Sequence, residues 1–549
     1  MKKLLLLLAL APTLLVAQSK KQRKAIAEQQ KADQAVVANL RSHVQYLADD
    51  KLEGRSTGSA GEALAMEYIS NQFKALALQP KGTNGYIQEF MIEEGKQIDM
   101  STYLNLNGTK LMLKRDYVPL AFSATKSLKG MPAMALRERG VPWFYDVKDL
   151  LETNANNSSF NITDAIRKEA TRSASKGATA LFVYNSGNVT DNIRFDNKDT
   201  AQASAIPVVY ILPDGYKKYF VDHSQLLDIE LNVALKEKYR NGHNVIGYID
   251  NGAPTAVVIG AHYDHLGWGE DGNTSDTGKI IHNGADDNAS GTALLIELAR
   301  MLKSSKAKTN NYIFIAFSGE EIGSLGSKHW LDKPTTTSPV NYMVNLDMVG
   351  RYDATRKLSV GGFGSSPLWS QLITNVTDKN LEVKLDSTAG TIGDQVPFYR
   401  KDIPVLFLHT GNHTDFHKAT DDVDKINYDA LLRIGKYLSR VIEFTDGRGK
   451  IAFAKAPEPI TMLAKTTVSL GIIPDNTSNN GGLKINGVSS KKIAEKIGLQ
   501  PGDVLTKLGS YSINDMNSYI LALSNFKAGD RTTLKIKRGK EDREFAVEF

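Results

Sequence analysis

Between residues 260 and 422 the chain repeatedly ends an apolar run on an aspartate, a glutamate or a histidine, and this placement constrains the fold more than any other feature. The clusters are GAHYDHLG (260–267), NGADDNASG (283–291), FSGEEIGSLGS (317–327), NLDMVG (345–350) and HTDFHKATDD (413–422). The first, third and fourth follow directly on TAVVIGA (255–261), NYIFIAF (311–317) and VNYMVNL (340–346). Short apolar runs bounded by turn residues read as buried strands. Strand alternating with helix from 243 to 443 reads as one α/β domain with a mostly parallel core in a mixed sheet, helices on both faces. Ligands in such sheets bind beyond the carboxyl ends of the strands. Side chains that would be scattered on a surface are therefore expected on one rim.

Composition narrows the rest. A chain of 549 residues exceeds what one core holds, so about two to four domains are expected. The net charge of +6 is mild and its lysines and arginines are dispersed, which gives no case for nucleic acid. There is no cysteine, so disulfides, thiolate metal sites, a cysteine nucleophile and a cysteine-linked lipid anchor are excluded, and any metal must be held by nitrogen and oxygen. Lys2, Lys3, the apolar LLLLLALAPTLLV (4–16) and Ala17 read as a signal peptide over 1–17. The run is too short to span a bilayer. A mature chain without a membrane span, periplasmic or secreted, is expected.

Along the chain, 18–34 is polar and lysine-rich. An amphipathic helix follows with Val36, Val37, Leu40, Val44 and Leu47, then the loop DDKLEGRSTGSAGE (49–62) and a second helix over 63–78. From Asp116 to Tyr239 the character changes. A helix (162–176) and two buried strands, in KGATALFVYN (176–185) and SAIPVVYIL (204–212), come without acids or histidines at strand ends, which reads as an inserted, non-catalytic domain. Gly447, Arg448 and Pro457–Pro459 mark a linker to a final segment of short strands, 461–549.

The residue types suit a two-metal hydrolase. Two divalent ions about 3.5–4 Å apart, joined by a bridging carboxylate, both polarise a carbonyl and activate water. His262 and Asp264 form an H-x-D pair, the imidazole a ligand and the carboxylate its orienting partner. Asp286, in a glycine- and asparagine-rich loop opening a helix, is placed to bridge. Glu320 and Glu321 are adjacent and diverge, so one can coordinate while the other serves as general base. Asp347 ends an apolar strand, where an unpaired carboxylate is costly. Of His409, His413 and His417, the last is expected as a ligand and His413 to meet substrate, while His409 is left open between a structural and a functional place.

These motifs resemble the co-catalytic di-zinc aminopeptidase family, relatives of glutamate carboxypeptidases and the transferrin receptor. The resemblance extends to LADDKLEGRSTGSAGEALAMEYISNQFKALALQP (47–80), NVIGYID (244–250) and IPVLFLHTGNHTDFH (403–417). It implies two zinc ions, with His262 and Asp347 on one, Glu321 and His417 on the other, and Asp286 bridging. It also implies Glu320 as general base, Asp264 as the histidine's partner, and a cis peptide joining Asp286 to Asp287. Asp287 and Asp394 are the candidates for a substrate ammonium, beside His413. Residues 18–115 and 240–450 resemble the peptidase domain and 116–239 a protease-associated insert. The segment 461–549 resembles a bacterial PDZ domain, through SLGIIPD (469–475) and KIAEKIGLQPGDVLTKLGSYSI (492–513). Gln395 and Phe416 depart from the family pattern, at a histidine and a tyrosine respectively.

The implied function is a secreted metallo-exopeptidase acting on the N-terminal residues of peptides or proteins, with a C-terminal peptide as a further ligand for the PDZ domain. The same scaffold also serves carboxypeptidases, dipeptidases and glutaminyl cyclases. A non-catalytic peptide binder is disfavoured because every ligand and Glu320 are retained.

Overall fold

The computed structural model describes residues 20–155, 157, 160–199, 201–270, 273–274, 276–389, 392–457, 466–474, 481–489 and 492–549. The expected signal peptide lies outside them. Among the described residues no helix is long and apolar enough to cross a membrane. The chain divides into two compact units, one of residues 1–90 with 241–549 and one of 91–240.

The first unit is built on a nine-stranded mixed sheet. Its centre is Ala256–His262, parallel to Asn311–Phe317 on one side and Val340–Leu346 on the other, with Val405–His409 parallel to the latter. Antiparallel strands close the flanks, Leu235–Ile249 beside Asn311–Phe317 and Leu358–Gly361 beside Val405–His409. The three central strands of the expected set are buried along almost their whole length. That is why they carry continuous apolar runs instead of an alternating pattern.

Alternate residues feed two cores. Val257, Ile259 and Ala261 pack with the helices Gly291–Ser304 and Tyr428–Thr445 and with Leu40, Val44 and Leu47. Val258, Ile313 and Phe317 pack on the opposite face against Trp330 and Phe398. The polar stretch before Ala35 continues the first helix, which runs Lys20–Leu47. Its apolar anchors lie only in its C-terminal half, which explains why the leading half gives no periodic signal.

The PDZ-like segment is a separate antiparallel sheet with its own core, from Leu470 and Leu483 to Tyr519, Leu534 and Val547. Its strand Ile472–Pro474 pairs only with Leu483–Val488 among the described residues.

The second unit has two four-stranded sheets. One contains Tyr103–Leu106 paired with Ile229–Val233, and the other contains Leu181–Tyr184 between Trp143–Asp146 and Val208–Ile211. Its boundary falls at Met91, not Asp116 as expected, because Tyr103–Leu106 adds to its sheet.

Candidate active site

The loops leaving four parallel strands meet beyond their carboxyl ends. His262 is the last residue of its strand and is buried. Its Nδ1 lies 3.1 Å from the Asp264 carbonyl oxygen, an acceptor, so Nδ1 carries the hydrogen. Its Nε2 then faces Asp287 Oδ1 at 3.3 Å and Asp347 Oδ1 at 3.4 Å. His417, held at φ +56°, repeats the arrangement. Its Nδ1 lies 2.8 Å from the Asn273 carbonyl oxygen, and its Nε2 faces Asp287 Oδ2 and Glu321 Oε2, each at 3.3 Å. Asp287 is thus shared, one oxygen to each imidazole. Ligand atoms of His262, Asp287 and Glu321 all lie within 4.8 Å of one another.

This donor set fits divalent cations. A neutral Nε2 lone pair facing two carboxylate oxygens is repulsive, and either a proton or a metal resolves the conflict. With a proton there, burial pulls the His262 imidazolium down, but Asp347, Asp264 and Asp287 outweigh it and hold it well above the ordinary value. For His417, burial also opposes the charge, yet Asp287 and Glu321 push it up to about 11. Burial would raise the Asp287 carboxyl, but His262, His265 and His417 hold it well below the usual range. The donors are all nitrogen and oxygen in a set that suits zinc.

The expected bridge needs a correction. Asp286 does not face His262 or His417. Its Oδ1 accepts the Gly350 N–H at 2.6 Å and the Ser290 hydroxyl at 3.0 Å, and its Oδ2 lies 3.1 Å from His413 Nε2. Asp287 holds the shared position instead. The cis peptide likewise joins Asp287 to Asn288, one residue beyond the expected bond. His413 is fully buried against Asp286 and does not line the cavity, so it is not placed to meet substrate. Asp394 is also fully buried, with its carboxyl pushed up to about 7 by burial, and it too stands behind the cavity wall.

The remaining expected residues are close by. Asp264 accepts the Thr57 hydroxyl at 2.9 Å and the Glu320 N–H at 3.2 Å, and its Oδ1 lies 3.6 Å from His262 Nδ1. The Glu320 carboxyl lines the cavity. Burial, with Asp347, Glu321 and Asp394 nearby, raises it well above the ordinary value against the pull of His262. His409 lines the cavity as well, and burial lowers it to about 4. Gln395 is buried and accepts from Asn345 at 2.9 Å, and Phe416 stacks on His417 with ring centroids 3.9 Å apart.

Three contributors were not singled out in the sequence. His265 Nδ1 lies 2.7 Å from Glu321 Oε1. It is the second histidine of HYDH, and its proximity to His262 in the motif was the available signal. Asp421 accepts the N–H groups of Asp286 and Asp287. Arg55, fully buried, donates to the carbonyls of Leu47, Tyr263, Asn283 and Gly284, bracing the loops on either side of the site. The cavity over these residues measures about 1000 Å³.

Residues 244–442 match the model of peptidase family M28 and residues 468–549 that of the PDZ domain. The chain carries a peptidase family M28 domain followed by a PDZ domain. It is 28% identical over 294 residues to aminopeptidase YwaD of Bacillus subtilis, covering 50% of this chain and 59% of that protein. It is 28% identical over 223 residues to a probable leucine aminopeptidase of Trichophyton verrucosum, covering 37% and 56%. The chain therefore spans less than two thirds of either relative's length. A solved zinc aminopeptidase from Bacillus subtilis aligns over 76% of this chain and 96% of its own, at 22% identity and a TM-score of 0.43.

Proposed function

We propose that the protein is an exported zinc aminopeptidase, periplasmic or secreted, that removes N-terminal residues from peptides. The observation carrying this reading is the Asp287 carboxylate, with one oxygen 3.3 Å from His262 Nε2 and the other 3.3 Å from His417 Nε2. Each imidazole commits its Nδ1 hydrogen to a backbone carbonyl and aims Nε2 at two carboxylates. In this reading His262 and Asp347 would hold one zinc and His417 and Glu321 the other, with Asp287 available to both. Ions held there supply Lewis-acid polarisation of the scissile carbonyl and make water more acidic.

The chain's own groups do the rest. Glu320 takes a proton from the attacking water and returns it to the leaving amine. Its N–H is fixed by Asp264, and Glu321 is oriented by His265. The carboxylate-rich end of the cavity, with Asp287, Glu320, Glu321 and Asp347, favours a substrate's ammonium over its carboxylate. The unit of residues 91–240, with its two small sheets, is read as a protease-associated insert without a part in the chemistry.

A panel of aminoacyl p-nitroanilides and peptides tests this. Turnover is expected on free N-termini, abolished by chelation, restored by zinc, and absent on N-acetylated counterparts, since a capped ammonium leaves a protein carboxylate unpaired. Efficient cleavage of N-acetyl peptides, or release of residues from the C-terminal end, would contradict it.

A further inference from the structure

The catalytic cavity is not lined by the peptidase domain alone. Leu483, Asp515 and Met516 of the PDZ domain line it together with His262, Asp287 and Glu320. A buried PDZ side chain also grips the peptidase: Asn486 Nδ2 donates to the carbonyl of Asn412, in the loop that leads to His417.

PDZ domains bind extended peptides by adding them to a free strand edge, and C-terminal carboxylates are captured by backbone N–H groups. Ile472–Pro474 is an edge strand of its sheet among the described residues, and the loop before it is Ser469–Gly471. Gly471 adopts φ +77°, and the Lys492 side chain lies over it so closely that a Cβ there would come within 2.2 Å. The stem of Lys492 therefore lies against the loop where a carboxylate would arrive, within reach of its ammonium.

The direction follows from the helix Met516–Leu523. Just past its C-terminal end, the Phe526 carbonyl accepts the Thr467 hydroxyl at 3.2 Å, next to that loop. Its N-terminal residue Met516 is in the cavity wall. A peptide added antiparallel to Ile472–Pro474, with its C-terminus at the loop, sends its upstream residues towards Met516 and the metal-binding donors.

We propose that the PDZ domain is part of the substrate site. It holds the free C-terminal carboxylate of an oligopeptide whose N-terminus lies at Asp287. This rests on the aminopeptidase reading and specifies its substrate class: short peptides with both ends free. Binding remote from the reacting bond is then used to orient that bond.

The test uses the zinc-loaded full chain with leucyl-alanine peptides of increasing length, each as free acid and as C-terminal amide, beside leucyl-p-nitroanilide. Beyond a threshold length the acid is expected to exceed its amide in kcat/KM by about tenfold, the loss typical of one charge-assisted hydrogen bond. Lys492→Glu, at an exposed position, is expected to erase that acid preference. Acid and amide cut equally at every length, or a preference that survives Lys492→Glu, would overturn the proposal while leaving an aminopeptidase. Failure to cut leucyl-p-nitroanilide and all the peptides would remove the aminopeptidase reading and this one together.

Discussion

Asp421 Oδ2 accepts the backbone N–H of Asp287 at 3.0 Å, so the segment that supplies His417 also holds the residue His417 faces. The same oxygen takes the Asp286 N–H at 2.8 Å. The shared carboxylate is therefore positioned through its backbone, by a buried acid from 134 residues further along the chain.

Replacing that acid should loosen the site without removing a donor. Asp421→Ala leaves two buried N–H groups unpaired, at about 1–3 kcal/mol each. A lower unfolding midpoint and weaker zinc retention in a chelator competition are expected. Unchanged zinc affinity would mean that the Asp287 loop holds its shape without Asp421.

Glu320→Gln keeps the side chain's size and removes its ability to take a proton. Turnover should fall on the order of 10²–10⁴-fold with zinc content unchanged, because general bases contribute about that much. Loss of zinc in this variant would exchange the roles of Glu320 and Glu321.

Much of this site is legible in the sequence, and the reason is strand burial. A strand covered on both faces must be apolar throughout, so the residue that ends the run stands out, and His262, Glu320, Glu321 and Asp347 are found in this way. The choice between Asp286 and Asp287 is not legible. Both sit in one loop without a periodic pattern, and only tertiary partners distinguish them: Gly350, Ser290 and His413 take Asp286, and the two facing histidines take Asp287. His413 was expected at the substrate for the same reason, since its partner lies 127 residues away in sequence. The edge of the second unit was also hidden, because the alternating strand Tyr103–Leu106 is short and looks like its neighbours until its partner strand is known.

Arg55 is the brace of the whole rim. Burial pulls its guanidinium down to about 10, and its hydrogen bonds run to four backbone carbonyls. Arg55→Leu leaves those carbonyls without their donor, and a loss on the order of 3 kcal/mol or more is expected in denaturant unfolding. A loss under about 1 kcal/mol, no more than an ordinary surface substitution, would contradict its role.

His243 gives a pH signature away from the site. Its Nδ1 lies 3.2 Å from the fully buried Glu62, which also accepts from Ser318 and Tyr263. The Glu62 hydrogen bond raises the His243 imidazolium above the ordinary 6.5, with burial opposing it. A raised histidine favours the folded state fully below its unfolded value, and that contribution disappears as pH rises through the folded value. The stability difference between the wild type and His243→Gln should therefore shrink as pH rises from about 5 to about 9, measured by urea unfolding. A difference that grows with pH would reverse the assignment.

The most direct test of the shared carboxylate is an anomalous difference map, recorded at the zinc edge from crystals of the zinc-loaded protein. Two peaks about 3.5–4 Å apart are expected, one within bonding distance of His262, Asp347 and Asp287 and the other of His417, Glu321 and Asp287. A single peak would contradict the two-zinc site, and two peaks joined through Asp286 would contradict the shared Asp287.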